Sequence, residues 1–355
     1  MNTEPLRVLI VDDSRIFRGV IEEALAGRHE LQVVGSVRNG EKAIEFARSS
    51  PPDFVTLDIE MPGMGGIATL KALRELTRGK PHAIGVLLVS SYTHRGAALT
   101  IEGLQEGAFD FIAKPEGPDL QVNAAALRQQ LLAKIGAFLS RRTIEPTVKT
   151  PAVRAISATR RSTRFRAVVI GASTGGPDAL LRLLPILAPA CPVPMFLVQH
   201  LPPDFTHYFA SNLARRCTAR VVQARDGMPV EPGVLYVADG GKHLLVHQHD
   251  GNVTTGLSDS PPENGCRPAA DVLFRSAAVA YAGRVLAVVL TGMGCDGAKG
   301  ATTLKRAGGR VIVQDEATSV VWGMPGSVVS ARAADDVLPI DEIAPALLSQ
   351  LGIGD

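Results

Sequence analysis

The stretch Gly171-Ala172-Ser173-Thr174-Gly175-Gly176-Pro177 directly follows the apolar run Arg166-Ala167-Val168-Val169-Ile170. An apolar run that breaks into glycines around a serine and restarts at a Pro constrains the backbone to strand, sharp turn and helix. The glycines permit a turn that lifts the Ser173 hydroxyl above a sheet, as in a G-x-S-x-G nucleophile elbow. Taken alone, the pentapeptide fits equally well a packed or phosphate-holding turn at a helix N-terminus.

Two further strand ends add context. Met195-Phe196-Leu197-Val198-Gln199 runs into His200, and Val285-Leu286-Ala287-Val288-Val289-Leu290 runs into Thr291-Gly292-Met293-Gly294-Cys295-Asp296-Gly297. In an open α/β sheet, ligands gather outside the carboxyl ends of the strands, so Ser173, His200 and Asp296 can converge from distant positions. They supply a nucleophile, a base and a group that orients the base. Glycine-flanked amides such as that of Met293 can stabilise an oxyanion. The chain order Ser, His, Asp differs from that of the α/β-hydrolases, chymotrypsin and subtilisin.

Together with Arg267-Pro268-Ala269-Ala270-Asp271-Val272-Leu273-Phe274, these motifs resemble the chemotaxis protein-glutamate methylesterase family (CheB family) over nearly the whole chain. The resemblance implies hydrolysis of glutamate methyl esters on methyl-accepting chemoreceptors, with deamidation of receptor glutamines. It implies Ser173 as nucleophile, His200 as base, Asp296 as orienting acid and the Met293 amide in the oxyanion hole, with no cofactor for the ester reaction. A chemotaxis histidine kinase is the implied phosphodonor.

Residues 6 to about 139 alternate short apolar runs with helical patterns. Leu6–Val11, Leu31–Val37, Phe54–Leu57, Ile84–Val89 and Phe109–Ala113 are expected strands, and Ile16, Val20, Ile21, Ala24 and Leu25 have helical spacing after Ser14. This is the pattern of a doubly wound parallel sheet. Gly19 costs that first helix about 1 kcal/mol relative to Ala. In the strand order 2-1-3-4-5, Asp12, Asp13, Asp58, Ser90 and Lys114 all fall at strand ends on one side. Three carboxylates there need a cation, and hard oxygen ligands favour Mg²⁺. The set suits phosphoryl transfer to Asp58, with Asp12 and Asp13 on the metal and Ser90 and Lys114 on the phosphoryl oxygens. Asp13 alone fits a helix cap as well. These residues resemble the response-regulator receiver family, which implies Phe111 as the switch aromatic. One departure is Gly65, where that family usually has Asp; its loss weakens the N-cap of the third helix.

The resulting fold expectation is α/β throughout. A flavodoxin-like receiver occupies 5–128, its last helix and a basic linker 129–165, and a methylesterase domain 166–352, with a largely parallel sheet and a β-hairpin insertion. The linker composition between 141 and 165 includes Arg141, Arg142, Lys149, Arg154, Arg160, Arg161 and Arg164 against the single acid Glu145. It describes a solvated tether, or arginines that pair with acidic surface. Val234–Val237 and Leu244–Gln248 suggest a β-rich insertion or hairpin beside the sheet.

A net charge of +2 gives no argument for nucleic-acid binding, and no apolar run approaches the length of a bilayer span, so a cytoplasmic protein without membrane insertion is expected. Cys191, Cys217, Cys266 and Cys295 lack a C-x-x-C pair and are expected as free thiols, with Cys295 filling a tight loop. His243, His247 and His249 have poor metal spacing and are expected as surface residues near the hairpin. Trp322 either lines the cleft or fills a local core. A nucleotide enzyme using Gly171–Gly176 as a phosphate loop is disfavoured by the incomplete G-x-G-x-x-G and by His200 where an acid should end the next strand. A transcription regulator is disfavoured because the C-terminal half has no basic recognition helix, and a non-catalytic adaptor because the triad is intact.

Overall fold

The computed structural model describes residues 4–78, 83–116, 118–142 and 165–353. The chain divides into two compact units, Met1–Thr143 and Ile144–Asp355. Most of the sequence-read basic linker, from 143 to 164, lies outside the described residues.

The first unit contains β1 (Leu6–Val11), α1 (Arg15–Leu25), β2 (Leu31–Val37), α2 (Gly40–Ser49), β3 (Phe54–Asp58), α3 (Gly66–Thr77), β4 (Gly85–Ser90), α4 (His94–Gln105), β5 (Asp110–Ala113) and α5 (Leu120–Arg142). Its five parallel strands have the order β2-β1-β3-β4-β5. Both faces of the sheet are covered, so β3, β4 and β5 are buried without alternation, which is why they read as continuous apolar runs. Ser14, not Asp13, caps α1 by accepting the Phe17 amide at 3.3 Å. Ile21, Ala24 and Leu25 of α1 are buried, whereas Ile16 is 82% exposed and takes no part in the core. Gly65 stands at the N-cap of α3 and offers it no side-chain bond, as the sequence implies. Phe109 packs edge to face on both Phe54 and Phe138, which meet each other at a tilt.

The second unit contains β6 (Ala167–Ala172), α6 (Gly176–Ala190), β7 (Met195–Gln199), α7 (Pro203–Arg216), β8 (Arg220–Gln223), β9 (Val234–Val237), β10 (His243–His249), β11 (Asn252–Ser258), α8 (Ala270–Ala280), β12 (Val285–Val289), α9 (Ala298–Arg306), β13 (Arg310–Gln314), α10 (Gly323–Ser330), β14 (Asp336–Leu338) and α11 (Ile340–Gln350). Seven strands form the sheet β14-β13-β12-β6-β7-β9-β8, and every pairing in it is parallel. The hairpin is β10–β11, which stands apart as a two-stranded antiparallel sheet, whereas Val234–Val237, expected beside the sheet, is β9 within it, paired parallel with β7 and β8. Its turn needs positive φ at both central residues, met by Asp250 at 48° and Gly251 at 81°. α6 packs with α11, while α8 packs with α9 and with β10.

Both sheets reverse direction beside a central strand. In the second unit the chain moves from β6 outward to β7, then returns through α8 to β12 on the other side of β6. In the first unit it leaves β1 for β2 and returns to β3 on the opposite side. Each switch point opens a crevice at the carboxyl ends of its two central strands.

Candidate active site

Ser173 follows β6, His200 follows β7 and Asp296 lies in the loop after β12, three neighbouring strands. Backbone bonds stitch their ends together. The His200 amide donates to Ala172 O at 3.1 Å and the Ser173 amide to Thr291 O at 3.1 Å. The turn closes with the Gly176 amide on Ser173 O at 2.7 Å, and Gly175 supplies a φ of 75°. At Gly176 a Cβ would collide with Gln199 Oε1, so only glycine lets the two strands' ends approach this closely.

His200 Nε2 lies 2.8 Å from Asp296 Oδ2. The same oxygen accepts the Ala270 amide at 2.6 Å, and Oδ1 accepts the amides of Asp271 and Gly297, both at 3.0 Å, and Asn264 Nδ2 at 3.2 Å. Asp296 is thus seated at the positive end of α8. Burial opposes its charge, but the bonds to His200 and these amides outweigh it and hold the carboxyl below its usual range. For His200, burial opposes the cation, while Asp296 and Cys266 favour it more strongly and raise its pKa to about 9.

Among the described residues the Ser173 hydroxyl makes no hydrogen bond to His200. The ring nitrogen turned away from Asp296, Nδ1, faces Cys266 Sγ at 3.5 Å. Gly292 packs so close to Ser173 that an added Cβ would stand 2.8 Å from the serine Cβ. The next residue, Met293, is 37% exposed, and its amide donates to no acceptor among the described residues. An amide in that position is available to a developing oxyanion.

Sequence reasoning missed several residues that build this centre. Gln199 Nε2 donates to the carbonyls of Ser173 at 2.9 Å and His200 at 3.4 Å. Thr291 Oγ1 lies 2.9 Å from Thr174 O and accepts the Val321 amide at 2.9 Å. Asn264 Nδ2 bridges Asp296 and Asp271 Oδ2. Its signal was the dipeptide Asn264-Gly265, which makes a turn with φ of 53° and 76° between Glu263 and Cys266. Trp322 is partly buried, with Nε1 donating to Gln314 O at 3.1 Å, and it bridges Gly292, so it braces the loop.

One expectation is corrected. His243 is no surface residue: it is 1% exposed, with Nε2 at 3.1 Å from Pro261 O and Nδ1 accepting the Ala269 amide at 3.2 Å. It is the first residue of β10 and is buried by the loop that leads to α8, which supplies both of its partners, while His247 and His249, on the same face farther along the strand, are exposed.

In the first unit, ligand oxygens of Asp12, Asp13 and Asp58 lie within 4.8 Å of one another. Lys114 Nζ reaches Asp12 Oδ2 at 2.9 Å and Asp58 Oδ2 at 3.1 Å, and sits 4.5 Å over the Phe17 ring. Burial raises the Asp58 pKa, Lys114 opposes that rise and Asp12 adds to it. One ammonium against three carboxylates leaves excess negative charge, and an all-oxygen donor set of this kind suits a hard divalent cation. Ser90 is fully buried with its hydroxyl on Ser91 O at 3.3 Å, and Phe111 is buried. Among the described residues no helix is long and apolar enough to cross a membrane.

A model of the CheB methylesterase family matches residues 168–347, and one of the response regulator receiver domain matches residues 8–126. A protein-glutamate methylesterase/protein-glutamine glutaminase from a Nocardioides species is 42% identical over 98% of this chain and 95% of its own length. One of the same name from Symbiobacterium thermophilum is 42% identical over 99% of this chain and 98% of its own. The crystal structure of the Thermotoga maritima CheB methylesterase catalytic domain aligns at 42% identity and a TM-score of 0.51, covering 54% of this chain and 99% of that one.

Proposed function

Since the chain belongs to the CheB methylesterase family, we propose that it is a phosphorylation-regulated protein-glutamate methylesterase and glutamine deamidase of chemotaxis-type two-component signalling. The observation that carries this reading is the His200–Asp296 pair at 2.8 Å, drawn from the ends of the two strands that flank the strand leading to Ser173.

In the reaction Ser173 Oγ attacks the ester carbonyl of a methylated receptor glutamate while Nδ1 of His200 takes the hydroxyl proton. Reaching Ser173 requires the imidazole edge to leave Cys266. Asp296 keeps Nε2 protonated and offsets the imidazolium charge. The Met293 amide binds the oxyanion, methanol leaves with the proton from His200, and water then releases the glutamate by the same steps. A glutamine side chain follows the same path with ammonia as leaving group.

In the receiver, Asp58 accepts the phosphoryl group from a histidine kinase, and Lys114 and Ser90 bind its oxygens. Asp12, Asp13 and Asp58 would hold Mg²⁺, which when bound neutralises the crowded carboxylates and phosphoryl oxygens. Phe111 acts as the switch aromatic. We assign the receiver to 5–128, its last helix and the tether to 129–165 and the esterase to 166–352, in a cytoplasmic protein acting on chemoreceptors. The test is methanol release from methylated receptor with and without a phosphodonor and Mg²⁺. Release that is absent under both conditions from folded protein overturns the reading.

A further inference from the structure

The ester reaction leaves one neighbour of His200 without a role. Cys266 Sγ, His200 and Asp296 lie in series, with 3.5 Å from sulfur to Nδ1 and 2.8 Å from Nε2 to carboxylate. A thiol, a base and an orienting carboxylate in that sequence are the parts that activate a cysteine.

The turn that carries the thiol is firmly held. Glu263 and Cys266 exchange backbone bonds of 3.0 and 2.9 Å, and Glu263 grips Arg275 of α8 through two bonds of 2.8 and 2.5 Å. Asn264 ties the same turn to Asp271 and Asp296. Cys266 is partly exposed, so a small reagent can reach it.

The other cysteines lack this combination. Cys191 and Cys217 are buried, which raises both thiols, Cys191 to about 11. Cys295 is exposed, but its Sγ meets Asn264 Oδ1 at 4.0 Å and no base.

We propose that Cys266 is a reactive thiol of the catalytic centre, where a soft electrophile or a peroxide modifies the chain and silences the esterase. The silencing rests on the hydrolase reading above. With hydrogen peroxide, the Cys266 thiolate attacks one oxygen. The S–O bond forms as the O–O bond breaks, and the departing hydroxide takes the proton held by His200. The products are Cys266 sulfenic acid and water, the sulfur oxidised and the peroxide reduced by two electrons. With iodoacetamide an S–C bond forms and iodide leaves, while the thiol proton passes through His200 to water. Either product crowds the Nδ1 edge that must receive the Ser173 proton. His200 Nδ1, 3.5 Å from the sulfur, is the group placed to take the thiol proton.

The experiment treats the full chain with limiting iodoacetamide and follows peptide masses and methanol release together. Cys266 is expected to take the first label, with activity lost in proportion. His200→Ala is expected to slow that labelling about tenfold or more while leaving Cys295 unchanged. Activity lost to hydrogen peroxide is expected to return with dithiothreitol. Ser173→Ala, which cannot turn over ester, should still label at Cys266, so the thiol is read independently of the hydrolase assignment. Labelling of Cys295 ahead of Cys266, or Cys266 labelling indifferent to His200→Ala, overturns the proposal. Full modification of Cys266 with esterase activity retained overturns the silencing.

Discussion

Gln199 donates from Nε2 to the carbonyl oxygen of Ser173 at 2.9 Å, so the last residue of one strand holds the turn at the end of its neighbour. The amide is 5% exposed and its Oε1 finds no partner among the described residues. That oxygen lies against Gly176 at the start of α6, where the helix dipole favours it. The elbow is therefore built from two strands.

Gln199→Met keeps the bulk and removes both donated bonds. Activity is expected to fall about 10- to 100-fold through kcat, since small displacements of a nucleophile cost that much. Steady-state methanol release checks it, alongside circular dichroism. Unchanged kcat in a folded variant would mean that the backbone bonds alone place Ser173.

Ser173→Ala is expected to lower ester hydrolysis by about 10⁶-fold, as is His200→Ala, since members of such a unit fail together. Asp296→Asn should cost about 10⁴-fold. It should also destabilise the domain, because an amide can offer only one oxygen where the carboxylate accepts the Ala270 and Asp271 amides on different atoms. A melting temperature equal to wild type for Asp296→Asn would refute that structural role.

The His200 pKa of about 9 gives a second check. The base acts only when neutral, so kcat/KM is expected to rise with pH up to about 9. The folded pKa lies above the ordinary 6.5, so the contribution to stability is complete below 6.5 and is lost as pH rises through about 9. Activity and stability should then move in opposite directions over that window. A pH–rate profile already flat at pH 7 would contradict it.

Phosphoryl labelling in Mg²⁺ is expected at Asp58 and should vanish in Asp58→Asn, because only a carboxylate at that strand end can form the acyl phosphate. Lys114→Met should reduce labelling while making Asp58 harder to ionise, since the ammonium at 3.1 Å is its main opposing charge. Label persisting in Asp58→Asn would show a different acceptor.

The central parallel strands were legible because burial on both faces makes them continuous apolar runs, whereas the short, partly exposed β8 and β14 gave no such run. The candidate site was read from what stands at the carboxyl ends of the buried strands. Ser173, His200 and Asp296 were readable in this way because each directly follows a strand or a glycine loop. Gln199 was not, since a polar residue at a strand end gives no sign of which way its amide turns. Cys266 and Asn264 reach the centre from a turn whose placement depends on Glu263 gripping Arg275, a contact that carries no periodic signal. His243 was misplaced because it shares a face with the exposed His247 and His249, and only the non-local return of the loop carrying Pro261 and Ala269 buries it.

The remaining prediction concerns the two halves as one device. A phosphoryl group can alter the esterase only if it interacts differently with two states of the receiver. The buried Ser90 and Phe111 offer such a choice, because the Ser90 hydroxyl is held by Ser91 O and must turn to meet a phosphoryl oxygen. The unphosphorylated receiver is expected to restrain the esterase. A fragment of residues 160 to 355 should fold alone, since an isolated catalytic domain of the family covers 54% of this chain along 99% of its own length. Esterase rates on the same methylated receptor are then expected to rank the fragment and the phosphorylated chain above the unphosphorylated chain. Ser90→Ala should accept phosphoryl at Asp58 yet lose much of that activation. If the folded fragment is no faster than the unphosphorylated chain, restraint is wrong, and the receiver must act by stimulating the esterase or delivering it to its substrate.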